Sequence, residues 1–338
     1  MSRLPNLSLR LHGGMRPAEC IELARAAEAA GFSGIWFAEN AFGRGILPAA
    51  AACALATKRI AINAGVFNPF SRHPTMMAME IGALDDLSNG RATLSIGSGI
   101  ASATEKLGIE PSKPVPGLRD TLTIVRALLR GQEIYHAGAA FSARKVKLDY
   151  EPRAAIPIYL AGRGDLTTKL AGELADGLLV SNMVSIAFAA RLGELMQARR
   201  KAAAREGSGL VVQFMPCAVD LDSRSAMTAG KRAVASMLPS FWSLGQKIAS
   251  AKQALLTGTG IDEQQFAVTA TRLRAGENAT DVVDERMVRA FALTGTPEEC
   301  LAAASRFAGA GITELALTFT GLSAAQEIAL IGEAVKGA

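Results

Sequence analysis

The sequence predicts an α/β chain folded as a (β/α)8 TIM barrel with insertions, one domain spanning 1–338. Three observations predict it. Through the first 180 residues, short β-branched or apolar runs alternate with segments in which Ala, Leu and Glu recur at three- and four-residue spacing. The starts of the first four runs, near 7, 34, 60 and 92, stand roughly one βα unit apart, the room a parallel crossover connection needs. Eight such runs can be placed along the chain, the number that closes a barrel.

Residues 7–11 form the first predicted strand. Pro17 then opens a helix at its first turn, where a missing N–H costs nothing, and Gly31 stops it. Residues 34–38 are the second strand; a loop over 39–47 and a helix starting near Pro48 lead to the third, 60–64. A helix from Pro74 precedes the fourth, 92–97, and a further helix covers 118–130. The polar, glycine-containing stretch near 131–156 reads as an excursion from the barrel, a lid or a hairpin. Residues 158–161 and 178–181 are the fifth and sixth strands around a helix at 166–175, and 210–219 is the seventh. Between 222 and 293 only helical patterns occur, a helical insertion, before 312–318 supplies the eighth strand. A doubly wound open sheet would place a glycine fingerprint after its first strand, where this chain has only His12, Gly13 and Gly14.

With 49% hydrophobic and 20% charged residues, the chain has the apolar surface for a large core and no compositional case for disorder. Its net charge of +5 is scattered, with Arg199, Arg200 and Lys201 as the one tight basic run, and aromatics are 5%. Neither a basic stripe nor a base-stacking surface is present, so a small-molecule substrate is expected and nucleic acid is not. Cys20, Cys53, Cys217 and Cys300 lie far apart without CxxC spacing, which predicts four reduced, mostly buried thiols rather than a zinc site or a disulfide framework. His12, His73 and His136 sit on different segments, so no metal is expected. No segment offers about 18 uninterrupted apolar residues, so no membrane association is expected and the cytoplasm is the expected location.

In a parallel barrel the loops after the strands carry the chemistry. Here they contain Glu39 and Asn40, the stretch from Gly65 to Arg72, Gly97 to Gly99, and Gly162 to Asp165. Gly97-Ser98-Gly99 begins like a dinucleotide fingerprint, but Ser102 stands at its third glycine position; Gly162-Arg163-Gly164 fails likewise at Thr167. Both still offer backbone without Cβ beside a helix start, able to close on an anion, or else simple tight turns. Arg163 and Lys169 could neutralise a phosphate there, or make surface ion pairs. Glu39 is the best general acid or base, with partnership to a nearby Arg as its plainer role. No GxSxG elbow supports covalent hydrolysis.

Five segments carry a resemblance: AAEAAGFSGIWFAEN; GVFNPFSRHP with the following LDDLSNGRATLSIGSG; LRDTLTIVRALLRGQEIYHAG; IPIYLAGRGDLTTKLAGELADGLLV; and LTGTPEECLAAASRFAGAGITELAL. Through them the chain resembles the bacterial-luciferase-like superfamily, and most of all its methylenetetrahydromethanopterin reductase branch. The region 223–288 resembles nothing specific.

The resemblance implies coenzyme F-420 (8-hydroxy-5-deazaflavin), with FMN as the alternative used by other branches, and hydride transfer between the ring and an organic substrate. It also implies a non-prolyl cis peptide at Gly65–Val66, bulging against the middle ring, with Glu39 and Asn68 approaching the ring system. Ser98 and Gly99 would meet the ribityl chain, and Ala161, Gly162, Arg163 and Gly164 the phosphate end. Many relatives end the second strand in an acid followed by His, whereas here Asn40 follows Glu39. Asn cannot shuttle a proton at neutral pH, which leaves proton handling at this catalytic position to Glu39 or solvent. The alternatives are an FMN-dependent monooxygenase fed by a partner flavin reductase, a non-catalytic flavin-binding protein, and a sugar-phosphate isomerase or aldolase. The resemblance further implies a homodimer, for which the alanine-rich helices at 24–30 and 49–56 offer close-packing surfaces.

Overall fold

In the computed structural model the described residues are 3–99, 101–109, 113–153 and 156–337, so the expected excursion near 131–156 lies partly outside them. The chain opens with β1 (Asn6–His12), α1 (Pro17–Ala30), β2 (Gly34–Ala38), α2 (Ile46–Ala56), β3 (Ala61–Phe67), α3 (Pro74–Ser88) and β4 (Ala92–Ile96). Next come α4 (Ala101–Lys106), α5 (Pro114–Leu128), a hairpin of β5 (Ile134–Ala137) and β6 (Ser142–Val146), then β7 (Ile158–Ala161), α6 (Asp165–Leu174), β8 (Gly177–Val180), α7 (Ile186–Ala202) and β9 (Leu210–Val219). A run of helices follows: α8 (Ser223–Lys247), α9 (Ala249–Leu256), α10 (Glu263–Arg274), α11 (Ala279–Val282) and α12 (Glu285–Phe291). The chain ends with β10 (Leu293–Gly295), α13 (Pro297–Gly309), β11 (Glu314–Phe319) and α14 (Ala324–Gly337).

Strands β1, β2, β3, β4, β7, β8, β9 and β11 are parallel, and the pairing of β9 with both β8 and β11 closes them into the expected barrel. Strand β8 leaves β9 after Val180 pairs with Gln213, and β10 takes up the upper end of β9 from Cys217 onward. This three-residue strand was not expected, because LTG is too short to show any period. The third strand runs to Phe67 rather than 64 because its register with β4 shifts between Ala64 and Phe67, a bulge that a glycine in the run conceals. The eighth strand begins at Glu314 rather than 312: Ile312 N donates to Phe307 O just past Gly311, whose φ of +83° ends α13, so Ile312 belongs to the helix stop.

Alternation along the strands sorts the side chains. On β1, Leu7, Leu9 and Leu11 face the helices and join the main core, while Ser8 and Arg10 face the barrel axis with the residues they register against, Gly34, Trp36, Ala316 and their neighbours. The axis is plugged by aromatic rings from three strands: Trp36 lies edge-on to Tyr159 at 5.2 Å and to Phe214 at 5.9 Å. Below them Glu314 accepts from Trp36 Nε1 at 2.6 Å and from Ser8 Oγ at 2.5 Å, and burial raises its pKa.

The excursion is a hairpin, tied down by Asp120 of α5, whose carboxylate accepts from Ala140 N and Phe141 N and meets His136 Nε2 at 3.0 Å. Phe141 packs on Phe70 and His73, so the hairpin abuts the loop after β3. Helices α8 to α12 have their own core, with Trp242 stacked on Phe266, and Met183 from the loop after β8 enters it. Of the alanines on the two helices expected to offer packing surfaces, Ala24, Ala27, Ala49, Ala50 and Ala54 are buried within the protomer, where α1 packs on α2, while Ala29 is exposed. The four cysteines are free and buried.

On α14 the buried Glu327 joins two strand ends, accepting from Val219 N at 2.9 Å and Gly321 N at 3.0 Å. Burial pushes its pKa up from 4.5 to about 7 against the pull of those N–H groups. A raised folded pKa means that the native state holds the extra proton. Its stabilising share is therefore complete below pH 4.5 and is lost as pH rises through about 7. Urea unfolding of the wild type and Glu327→Gln, compared across that window, is expected to show the wild type losing up to about 3 kcal/mol more than the variant with rising pH.

Candidate active site

The C-terminal ends of β2, β3, β4 and β7 are drawn together at one backbone feature. The peptide Gly65–Val66 is cis, and Gly65 has φ of +140°. A Cβ on Gly65 would collide with the carbonyl of Ser95 on β4, so only glycine permits this approach. Beside it, a Cβ on Gly97 would lie 2.6 Å from Val66 Cγ1 and 3.3 Å from Ala161 Cβ, and one on Gly99 would lie 2.5 Å from Asn68 Nδ2. Val66, Gly97, Ala161, Asn68 and Gly99 thus form one continuous arc, with the half-buried Ser98 between the two glycines.

Glu39 enters the arc through its backbone, its N–H donating to Gly65 O at 3.0 Å. Its side chain has the arginine partner that was its plainer expectation: Arg72 Nη2 lies 3.1 Å away, while Arg72 Nη1 reaches Glu80 at 2.5 Å. The Arg72 guanidinium lies 4.2 Å above the Phe67 ring. Burial raises the Glu39 pKa, Arg72 opposes the rise, and the nearby charge of Glu80 adds to it. Glu39 is therefore a carboxylate readier to take a proton than an exposed one. Asn40 is exposed on the rim, its carbonyl accepting from Gly43 N at 3.0 Å. Asn68 holds its own turn, with Oδ1 accepting from Phe70 N at 3.0 Å and its carbonyl from Arg72 N at 3.0 Å.

At the other end of the arc, Gly162 N donates to Leu179 O and Gly164 caps the N-terminus of α6, where a Cβ would meet open space. Arg163 turns its guanidinium over Phe241 of α8 at 5.0 Å, so the helical insertion reaches the barrel mouth. Its Nη1 is buried without a hydrogen-bond partner, and burial pushes its pKa down to about 10. Lys169 does not join it: that side chain is exposed on α6 and acts on Asp165, which pairs with Arg191.

Among the described residues, three of the five buried side-chain atoms without a hydrogen-bond partner stand at or near strand ends around this mouth: Arg10 Nε, Arg163 Nη1 and Asn182 Oδ1. Arg10 was not among the expected site residues, and Arg72, at the end of the stretch singled out after the third strand, was given no role of its own. Arg72 lies inside the GVFNPFSRHP segment, and Arg10 announces itself as a charge within an otherwise apolar strand. Among the described residues no three His, Cys, Asp or Glu side chains stand in metal-binding proximity, and no helix is long and apolar enough to cross a membrane. A surface cavity of about 340 Å³ lined by Asp262, Val268, Asp284, Arg286 and neighbours lies on the insertion and shares no residue with the mouth.

Two outcomes follow from this geometry. Gly65→Ala, meeting the Ser95 carbonyl with no flexible atom to yield, is expected to cost about 2–4 kcal/mol in urea unfolding. Arg72→Met leaves burial unopposed at Glu39, so the Glu39 carboxyl resonance, followed by NMR, is expected to titrate at higher pH than in the wild type; an unmoved titration would mean that the ion pair does not set its proton affinity.

The sequence and the fold both have known counterparts. Residues 4–314 match the family model described as luciferase-like monooxygenase. A 5,10-methylenetetrahydromethanopterin reductase from Archaeoglobus fulgidus is 28% identical over 300 residues, covering 86% of each chain. The solved structure of the coenzyme F-420-dependent tetrahydromethanopterin reductase from Methanopyrus kandleri superposes with a TM-score of 0.86 at 22% identity, covering 99% of both chains. The FMN complex of the oxygenating component of a diketocamphane monooxygenase from Pseudomonas putida superposes with a TM-score of 0.71 at 18% identity, covering 98% of both chains. A barrel closed in the same way, matched along nearly its whole length by one family model, places this chain in the luciferase-like monooxygenase family.

Proposed function

We propose that this protein is a cytoplasmic oxidoreductase that binds coenzyme F-420 (8-hydroxy-5-deazaflavin) across the ends of β2, β3, β4 and β7 and moves a hydride between it and a small organic substrate. One observation carries this reading: the bulge at Gly65–Val66 forms a shelf cleared of side chains by Gly97 and Gly99, and that shelf runs on to a buried, unpartnered guanidinium at the start of α6. The likeness to F-420-dependent reductases supports it.

The residues present fit such a group. Val66 and the Gly65 backbone would support a flat ring from below, and Asn68 and Ser98 would flank its polyol chain. The N–H groups at the start of α6, with Arg163, would take a phosphate, which supplies the acceptor that Arg163 Nη1 lacks. When bound, the coenzyme supplies the hydride chemistry. Glu39 can hold a proton at its carboxyl for return to the product, since burial already favours its neutral form. Arg72 keeps that carboxyl oriented. Asn40, on the rim, can donate or accept hydrogen bonds to substrate without exchanging a proton. We expect a homodimer, supported by exposed Leu55 of α2 with Met76, Met79 and Leu87 of α3.

A second reading, an FMN-dependent monooxygenase served by a flavin reductase, is favoured by the FMN-bound structural relative. Titration of the purified protein with F-420 and with FMN separates the two. Tighter binding of the deazaflavin is expected; preference for FMN would replace the first reading by the second, and binding of neither would overturn both. Arg163→Ala is expected to weaken F-420 at least tenfold, roughly the worth of a charge-assisted phosphate contact. The same change is expected to leave binding of the phosphate-free ribityl deazaflavin nearly unaffected.

A further inference from the structure

Arg10 is placed where a barrel strand would carry a small or apolar residue. On β1 it registers against Trp36 of β2, and its guanidinium lies 4.7 Å over the Phe214 ring, at the top of the aromatic plug. It makes one hydrogen bond, from Nη1 to Thr318 Oγ1 at 3.1 Å. Nε is buried without a partner, and no carboxylate among the described residues forms an ion pair with it. Glu314, deeper on the axis, is taken up by Ser8 and Trp36. Burial alone accounts for a pKa pushed down to about 10, and the charge is felt at the mouth, where it helps to depress His12.

An uncompensated buried cation is costly, and folding alone gives no reason to keep one. Its free edge is the pair Nε–H and Nη2–H, two parallel donors spaced for the two oxygens of one carboxylate. Its place on the rim separates it from the cofactor arc: Glu39, Gly65, Val66, Asn68, Ser98, Gly99 and Arg163 lie on or just after β2, β3, β4 and β7, whereas Arg10, Thr318 and Phe214 belong to β1, β11 and β9. The two sets occupy different sectors of one mouth.

We propose that Arg10 is the substrate-anchoring residue of this mouth, and that its Nε–Nη2 edge binds a carboxylate of the organic substrate beside the cofactor. The proposal rests on the redox reading above for the identity of the neighbouring group, but not for the anion site itself. It also explains why the charge stands on a strand rather than a loop: the strand holds the fork rigidly over Phe214, so the bound carboxylate fixes the substrate's orientation.

The test compares benzoate with benzamide, a neutral probe of the same shape, by calorimetric titration of wild type, Arg10→Met and Arg10→Lys, each with and without F-420. Wild type is expected to prefer benzoate by at least about tenfold. Arg10→Met should lose the preference and Arg10→Lys keep part of it, having the charge without the fork. F-420 affinity should change by less than about threefold in both variants, and the melting temperature of Arg10→Met should equal or exceed that of wild type. Equal binding of the two probes by wild type, a preference surviving in Arg10→Met, or inorganic phosphate competing as well as benzoate would each overturn the carboxylate assignment. So would loss of F-420 binding in Arg10→Met, which would put Arg10 on the cofactor, or a fall in its melting temperature beyond about 5 °C, which would make the residue structural. If wild type binds neither F-420 nor FMN, the redox reading falls, and the benzoate comparison on the cofactor-free protein still decides Arg10.

Discussion

Strands β8 and β9 pair from Gly177 with Leu210 to Val180 with Gln213, and this short contact turns a parallel sheet into a barrel. Closure makes the strands tilt and brings their C-terminal ends to one mouth, so residues on strands that do not pair, such as Trp36 of β2 and Phe214 of β9, become neighbours. It also creates an interior that must be filled. Trp36, Tyr159 and Phe214 fill it with rings packed edge to face.

Within the mouth, close backbone approach and buried charge divide the work. Between β3, β4 and β7 the walls come so near that side chains are excluded at Gly65 and Gly97, which favours a flat, extended ligand. At the periphery, Arg10 and Arg163 are each stacked on an aromatic ring and left short of acceptors. Stacking on a ring face offsets part of the cost of burying a guanidinium but satisfies none of its N–H groups. Two such cations in different sectors suit a ligand pair in which each partner carries its own anionic group. Glu39, by contrast, has its charge answered by Arg72, which suits the proton handling proposed for it better than anchoring.

The two additions to the barrel both serve the mouth. The β5–β6 hairpin is fastened to α5 by Asp120 and lays Phe141 against the loop after β3. The helical insertion rests on its own apolar core and reaches the start of α6 through Phe241. Each packs on a loop that follows a barrel strand, which restrains the very segments whose freedom would blur the site.

Much of this was legible in the sequence by itself. Alternating periods, and proline and glycine at helix ends, locate all eight barrel strands to within a few residues, because strand and helix differ in the spacing of their buried faces. The family segments also pointed to the cis peptide at Gly65–Val66 and to the glycines around it. Strand β10 was not legible, nor the extension of β3 through its bulge, since both depend on a partner strand rather than a local period. Which alanines of α1 and α2 are buried, Ala24, Ala27, Ala49, Ala50 and Ala54, was hidden for the same reason. Only the tertiary structure decided that Arg72 answers Glu39, that Phe241 of the insertion covers Arg163, and that Arg10 stands without an acceptor. A sequence records which charges exist, whereas their partners are set by which strand ends the closed sheet brings within hydrogen-bonding reach.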